Sequence, residues 1–200
     1  EKDIRLEKLQ FYPPYLLFYS IGICSLEAKN FNLLFSLLTK PQRRENERRR
    51  TILQSLQVGD VFVHESHKLV PTPKEGNNKT PVNDYLFSFF GDQLKDLIPD
   101  SRRFEKTFDT FEYLAGLVYI DQNHVDLSHN RIRGPVGRFW WKYEDEFDLN
   151  EKTTPIDEFF QKGLSQGYEW GLIKSGFFNG SIDRFNECKV AYDNYLKNIG

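Results

Sequence analysis

The stretch Tyr15–Leu26, YLLFYSIGICSL, decides how the rest of this sequence is interpreted. It follows Pro13 and Pro14, which favour the first turn of a helix, and it contains no charged residue. A segment that is apolar nearly all round is typical of a helix in the centre of a protein. It is too short to span a bilayer. We therefore predict a central buried helix that begins just after the prolines.

A second helix is predicted directly after the first. Lys29 and Asn30 interrupt the apolar run, and Pro41 closes the segment that follows. Between them, apolar residues recur at the spacing of one helix face, namely Phe31, Leu34, Phe35 and Leu38. Two helices joined by so short a break predict an antiparallel helical hairpin near the N-terminus.

The middle of the chain contains a basic segment, followed by a helix whose N-terminus is clearly marked in the sequence. Residues 43–57 predict a third helix that is very basic at its beginning, and residues 58–73 fit either a short strand or an extended loop. The loop KEGNNK follows. Thr80 and Pro81 then have the residue types preferred at a helix N-terminus. The apolar stripe of this helix consists of Val82, Tyr85, Leu86, Phe89, Phe90 and Leu94.

Three more helices are predicted from their start signals. Pro99-Asp100-Ser101 ends one helix and caps the next, Thr154-Pro155-Ile156-Asp157 has a capping-box pattern, and Ser181 caps a last helix after the Asn179-Gly180 turn. The apolar residues of these helices are Phe104, Phe108, Phe111, Tyr113, Leu114, Ala115, Leu117 and Val118, then Ile156, Phe159, Phe160 and Leu164, and finally Ile182, Phe185, Tyr192, Leu196 and Ile199.

These patterns predict a mainly α-helical protein: about seven amphipathic helices with minor extended segments in one domain over residues 1–200. Aromatic residues make up 16% of the chain, so rings should build the core. The net charge of −2 argues against a globally basic nucleic-acid binder. Cys24 and Cys188 lie in apolar helical patterns, as small buried side chains of a cytoplasmic protein do. No membrane-spanning segment is predicted.

The segment Gly134–Tyr143, GPVGRFWWKY, is the strongest candidate for a binding site because it pairs two tryptophans with two cations. In one interpretation Trp140 or Trp141 stacks on a base or ring while Arg138 or Lys142 binds a phosphate. In the other it is a short extended corner, with Phe139 and Trp141 on one face and Arg138 and Trp140 on the other. We favour the corner, with its outer tryptophan and Arg138 as interface anchors.

Other polar clusters match no catalytic motif. His64 and His67 lie three residues apart without a helical context, and His124 and His129 lie in a polar stretch. The acidic run Glu144, Asp145, Glu146 and Asp148 has no calcium-loop spacing, and no phosphate loop or nucleophile elbow is present. We predict no metal and no cofactor. A metal-dependent hydrolase or nuclease that uses these histidines and the acidic run stays open as an alternative.

A second alternative is nucleic-acid binding through local basic residues. The run from Arg43 to Arg50 includes Arg48 and Arg49, and Arg131 and Arg133 precede the segment Gly134–Tyr143. Acidic residues interrupt the first run, and Glu45 stands four residues before Arg49, a favourable pair on a helix. A solvated helix face is therefore the preferred interpretation.

Three phrases carry a resemblance to a known group of proteins: YPPYLLFYSIGICSLEAKNFNLLFSLL, FDTFEYLAGLVYID followed by GPVGRFWW, and GLIKSGFFNGSIDRFNECKVAYDNYL. In this order they resemble the helical C-terminal region of large bacterial multidomain proteins linked to antiphage defence. In those proteins a sirtuin-like domain or a P-loop NTPase often precedes the helical region. The resemblance implies a sensing, regulatory or assembly module, and it transfers no active-site residue.

The residues and the resemblance together predict a non-catalytic helical interaction or sensor module of a larger cytosolic defence-type protein. Its partners would be other domains of the parent chain or a separate protein. The sequence contains no methionine, which predicts a piece of a longer chain. The candidate binding residues are Arg138, Trp140 and Trp141, followed by Arg131, Arg133, Arg48 and Arg49.

Overall fold

The computed structural model describes residues 11–42, 50–55, 80–123, 135–143 and 154–199. The predictions for the basic run 43–49, for residues 56–79 with His64 and His67, for 124–134 with Arg131 and Arg133, and for the acidic run 144–148 lie outside these ranges. Within them the mainly α-helical class is confirmed.

The first two helices form the predicted hairpin. Helix α1 spans Tyr12–Glu27 and helix α2 spans Phe31–Thr39, and the two pack against each other. Helix α1 begins earlier than predicted, since both prolines lie inside its first turn. Lys29 at the break has a φ of 54°, and the Asn30 side chain accepts a hydrogen bond from the Leu33 N–H and so caps α2.

The prediction of one helix over residues 43–57 is wrong at its described end. Strand β1, Pro41–Gln42, pairs antiparallel with strand β2, Arg50–Thr51, and the short helix α3, Ile52–Ser55, ends this described range. Helical periodicity alone could not reveal this pairing, because the partner strand lies on the far side of the basic run.

Two helices fill the middle of the described chain. Helix α4 spans Pro81–Gln93, with Thr80 at its N-cap as predicted. Helix α5 spans Ser101–Asn123, and the Asp100 carboxylate accepts hydrogen bonds from the Arg102 and Arg103 N–H groups at its start.

The C-terminal part contains a short helix, a capped helix and a last long helix. Helix α6 spans Phe139–Lys142 and helix α7 spans Pro155–Leu164, the latter with the predicted capping box of Thr154 and Asp157. Helix α8 is Gly171–Lys174, between the 3-10 turns Gly167–Glu169 and Phe177–Gly180. Helix α9 spans Ile182–Lys197 and is capped by Ser181 as predicted.

Helix α5 occupies the centre of the core. It contacts α1, α2, α3, α4, α6, α7 and α9, and its residues from Thr107 to Val118 are all buried. The sequence predicts the central position for α1, and this prediction is wrong: α1 buries one face on α5 and exposes Leu17 and Ile21 on the other. An apolar sequence indicates that a helix can be buried. The elements that pack against the helix determine what fraction of its surface is buried.

The core around α5 is built from rings, as the composition predicts. Phe18 and Tyr19 of α1 contact Phe111 at centroid distances of 5.5 and 5.3 Å. On the other side Tyr113 contacts Tyr192 of α9 at 5.2 Å. Of the residues predicted to pack the last helix, Ile199 lies beyond its end and is 37% exposed.

No helix of the described chain is both long enough and apolar enough to cross a membrane.

Candidate functional site

The segment Pro135–Tyr143 lies against α5 as a helical turn. The prediction of an extended segment is therefore wrong for Phe139–Lys142, which forms α6. A helical turn places Arg138 and Lys142, four residues apart, on the same side. Both cations can therefore contact the same carboxylates of α5. In an extended segment the two side chains would be too far apart to share these carboxylates.

Phe139 anchors this turn in the core. Its side chain is fully buried, with its ring 5.4 Å from that of Tyr113 and 6.5 Å from that of Tyr192. The turn is thus fixed by one buried ring and by the two cations on its flank.

Arg138 is buried within a group of carboxylates. Its Nη1 lies 3.1 Å from Asp109 Oδ1 and 3.4 Å from Glu105 Oε1, and its Nε lies 3.8 Å from Asp84 Oδ1. Its guanidinium carbon also sits 3.7 Å from the centroid of the Phe87 ring. The guanidinium is therefore engaged by side chains of two helices, α4 and α5, and the Arg138 side chain is only 8% exposed.

Lys142 completes the charge cluster. Its Nζ lies 2.8 Å from Glu105 Oε1 and 3.1 Å from Asp109 Oδ2, and it donates to the hydroxyl of Tyr143 at 2.9 Å. Burial would lower the pKa of Lys142, but the charge of Asp109 and the hydrogen bonds outweigh burial and raise it.

The carboxylates of the cluster respond differently to the same environment. Burial raises the pKa of Asp109, although Arg138 and Lys142 oppose it. Burial would also raise the pKa of Glu105, but the hydrogen bond and charge of Lys142, with help from Arg138, lower it. In Glu105 the cations thus outweigh burial, whereas in the more deeply buried Asp109 burial outweighs the cations.

Glu112 lies one turn further along α5 and has different partners. Its Oε1 accepts hydrogen bonds from Asn83 Nδ2 at 2.6 Å and from the Tyr19 hydroxyl at 3.1 Å, and its Oε2 accepts one from the Arg138 backbone N–H at 2.9 Å. Burial raises the pKa of Glu112 to about 7, and the negative charge of Asp109 adds to this, while the three hydrogen bonds oppose it.

A small cavity lies beside Glu112. Its volume is about 30 Å³, and its walls come from α1, α3, α4, α5 and the Pro135–Gly137 segment. Such a volume has room for about two water molecules. Gly137 is needed here, because a Cβ at this position would overlap the Glu112 carboxylate.

Neither Asp109, Glu112 nor Asn83 was identified from the sequence, because polar residues of an amphipathic helix usually face water. A signal was available for Glu112. It lies four residues after Phe108 and three before Ala115, so it falls within the predicted apolar stripe.

The two tryptophans lie on either side of this turn, and both are half-buried. Trp140 Nε1 donates to the Leu196 carbonyl at 3.0 Å, and Trp141 Nε1 donates to the Thr80 hydroxyl at 2.7 Å. Thr80 thus occupies the predicted N-cap position but uses its hydroxyl for the indole and not for the cap. The predicted contrast between one buried and one exposed tryptophan does not occur.

The structure describes three of the candidate binding residues, Arg138, Trp140 and Trp141, but it directs their side chains to different partners: the carboxylates of α5, the Leu196 carbonyl and the Thr80 hydroxyl. The other four, Arg131, Arg133, Arg48 and Arg49, lie outside the described residues. A role of any of them in ligand binding stays a prediction. The guanidinium of Arg138 is already engaged by carboxylates, so an anion would have to compete with Asp109 and Glu105.

No family model, curated protein or solved structure matches this chain. Among the described residues, no group of three or more His, Cys, Asp or Glu side chains is arranged to hold a metal ion. The site thus consists of three features: the buried charge cluster around Arg138, the buried carboxyl group of Glu112 at the cavity, and the half-buried indoles of Trp140 and Trp141.

We expect Trp140→Ala and Trp141→Ala each to lower the free energy of unfolding by about 1–3 kcal/mol. This is less than the loss for a fully buried ring, and it includes one indole hydrogen bond. Urea denaturation measures the change. Trp141→Phe, which keeps a ring and loses the hydrogen bond, should lie between Trp141→Ala and the wild type. If both alanine variants have the same free energy of unfolding as the wild type, the indole rings do not stabilise the fold. That result would favour the interpretation in which a tryptophan stacks on a ligand.

Proposed function

We propose that this chain is a non-catalytic helical module that binds an apolar protein surface through the outer face of α1. The observation that carries the proposal is the composition of that face. Leu17 is 62% exposed and Ile21 is 38% exposed, although both belong to a helix whose only charged residue is Glu27.

The exposed residues of α1 form one stripe. Pro14, Leu17 and Ile21 are exposed and spaced three or four residues apart, and the half-buried Cys24 continues the row. At 1.5 Å per residue the stripe is about 15 Å long. The outward face of an ordinary surface helix is polar, and contiguous apolar surface is typical of protein–protein contact sites. We call Pro14, Leu17, Ile21 and Cys24 the α1 stripe.

The resemblance to helical regions of antiphage-defence proteins supports the same assignment. In such an arrangement the α1 stripe would contact another domain of the parent chain or a separate subunit, and the helical module would transmit or sense its state. We therefore propose a regulatory or assembly role in a bacterial defence-type protein.

Site-directed photocrosslinking tests this function in the parent protein. A benzoylphenylalanine at position 17 should crosslink to a protein surface, whereas one at position 190 should not, because Val190 is a single exposed apolar residue on α9. Once the crosslinked protein is purified, Leu17→Glu with Ile21→Glu should weaken binding at least tenfold, and Val190→Glu should leave it unchanged. Calorimetry gives the affinities.

The same experiment separates this function from nucleic-acid binding. An apolar contact changes little with salt, whereas binding to phosphates weakens steeply. The proposal is wrong if position 17 crosslinks to nucleic acid, or if the double glutamate variant binds its partner like the wild type.

A further inference from the structure

Glu112 is a buried carboxylate that contacts no cation in the described part of the chain. Its three partners are neutral donors, namely the Tyr19 hydroxyl, Asn83 Nδ2 and the Arg138 backbone N–H. Each of these donors favours the ionised form of Glu112. A buried charge is costly unless a charge of opposite sign lies beside it, and the three donors do not supply one.

The cations beside α6 are already used by other carboxylates. The side chains of Arg138 and Lys142 pair with the three acidic residues of the charge cluster, Asp84, Glu105 and Asp109. With Glu112 included, this part of the core contains four carboxylates and two cations. The excess of negative charge favours a further cation close to Glu112.

The cavity beside Glu112 has a wall that suits an ammonium group. Four aromatic rings line it, those of Tyr15, Phe18, Tyr19 and Phe111. Aromatic rings attract ammonium groups, and proteins bind such groups in cages of rings. Asn83 lines the cavity as well, and its amide oxygen, which takes no part in the bond to Glu112, can accept a hydrogen bond.

The size of the cavity limits the cation that it can hold. Its volume of about 30 Å³ has room for about two water molecules, which matches ammonium or methylammonium. Tetramethylammonium is too large. Magnesium and calcium ions prefer about six or more oxygen ligands, and a wall made mainly of rings does not provide them.

We propose that this cavity binds one small ammonium-type cation, ammonium or methylammonium, with Glu112 as its counter-ion. The cation donates hydrogen bonds to the Glu112 carboxylate and to the amide oxygen of Asn83, and it lies against the aromatic rings. Of the described lining residues, only Pro135 and Val136 are half-buried and the others are buried, so the cation enters beside these two. The site uses the inner face of α1 and does not depend on the α1 stripe.

Thermal unfolding in different chloride salts tests this site. Ammonium or methylammonium is titrated at constant chloride concentration, with tetramethylammonium making up the difference, at about pH 8, where Glu112 is ionised. At a cation concentration of about ten times the dissociation constant, we expect the Tm to rise by about 3–6 °C. A Tm that is constant across the titration overturns the proposal. An equal rise in potassium chloride also overturns it, because the site would then not require N–H donors.

Two variants connect the rise in Tm to the cavity. Glu112→Gln keeps the volume and removes the counter-ion, so it should abolish the rise. Ala115→Val keeps the carboxylate and fills part of the cavity, so it should do the same and serves if Glu112→Gln does not fold. Glu158→Gln, which removes an exposed carboxylate of α7, is the control and should keep the full rise. If either cavity variant retains the wild-type rise, the proposal is wrong.

NMR with isotope-labelled ammonium shows where the ion binds. We expect cross-peaks between the ammonium protons and the ring protons of Tyr19 and Phe111, and we expect Ala115→Val to remove them. Cross-peaks from these rings to water alone, in the presence of ammonium, would show that the cavity holds only water and would overturn the proposal.

Discussion

Replacing Arg138 by methionine should lower the free energy of unfolding by about 3–5 kcal/mol, the range for breaking a buried ion pair. The Asp109 side chain is fully buried, and Arg138 is one of only two cations that contact it among the described residues. Methionine fills a volume similar to that of arginine. The loss of stability therefore arises from the missing charge and not from a cavity. Urea denaturation at neutral pH measures it.

Arg103→Met is the matched control for this prediction. Arg103 pairs with Glu27 and thereby also links α5 to α1, but its side chain is 66% exposed. Glu27 is 17% exposed, but water screens the pair from the Arg103 side, so we expect it to contribute at most about 1 kcal/mol. Asp109→Asn, added to Arg138→Met, should restore part of the loss, because the uncompensated buried charge is then removed. If Arg138→Met and Arg103→Met lower the free energy of unfolding equally, the ion pairs of Arg138 do not behave as buried pairs, and the prediction is wrong.

Phe111→Ala should have an effect of similar size, about 3–5 kcal/mol, because it removes a fully buried ring from the centre of the core. The ring of Phe111 contacts Phe18 and Tyr19 and lies against Gly22 of α1, which has no side chain to displace it. Thermal and urea unfolding measure the loss.

Gly22 allows a sharper test of this contact. A Cβ at Gly22 would overlap the Phe111 ring, so Gly22→Ala should destabilise by about 1–3 kcal/mol although alanine is the better helix former. In a Phe111→Leu background the cost should shrink, which a double-mutant cycle measures as coupling. Gly91→Ala is the control, since its Cβ would lie 3.4 Å from the Phe104 ring, and it should be neutral or stabilising. Equal effects of Gly22→Ala in both backgrounds would contradict the predicted contact.

The helices themselves were predictable because their signals are local. The side chains of Thr154 and Ser181 cap α7 and α9 by accepting hydrogen bonds from backbone N–H groups three positions later, so sequence spacing alone reveals these caps. The apolar repeat of α5 likewise marks the residues that the structure buries. These features depend mainly on neighbours along the chain, although at Thr80 a tertiary contact with Trp141 replaces the cap hydrogen bond.

The helical turn α6 could not be predicted from local sequence signals. Four residues are too few to form a stable helix on their own, because nucleation is unfavourable. Phe139 and the contacts of Arg138 and Lys142 with α5 hold the turn in place. The sequence named Arg138, Trp140 and Trp141, but it did not indicate that Arg138 faces carboxylates 29 and 33 positions away.

The sequence by itself determined the helical class, most described helix starts and the aromatic character of the core, because periodicity and capping are short-range properties. Tertiary structure decided which helix is central, which face of α1 stays exposed and where Glu112 is buried. Each of these depends on what lies against a surface, and burial changes the pKa of the Glu112 carboxyl through the water it loses. The α1 stripe and the buried Glu112 both arise at that level, from the way in which the helices pack against one another.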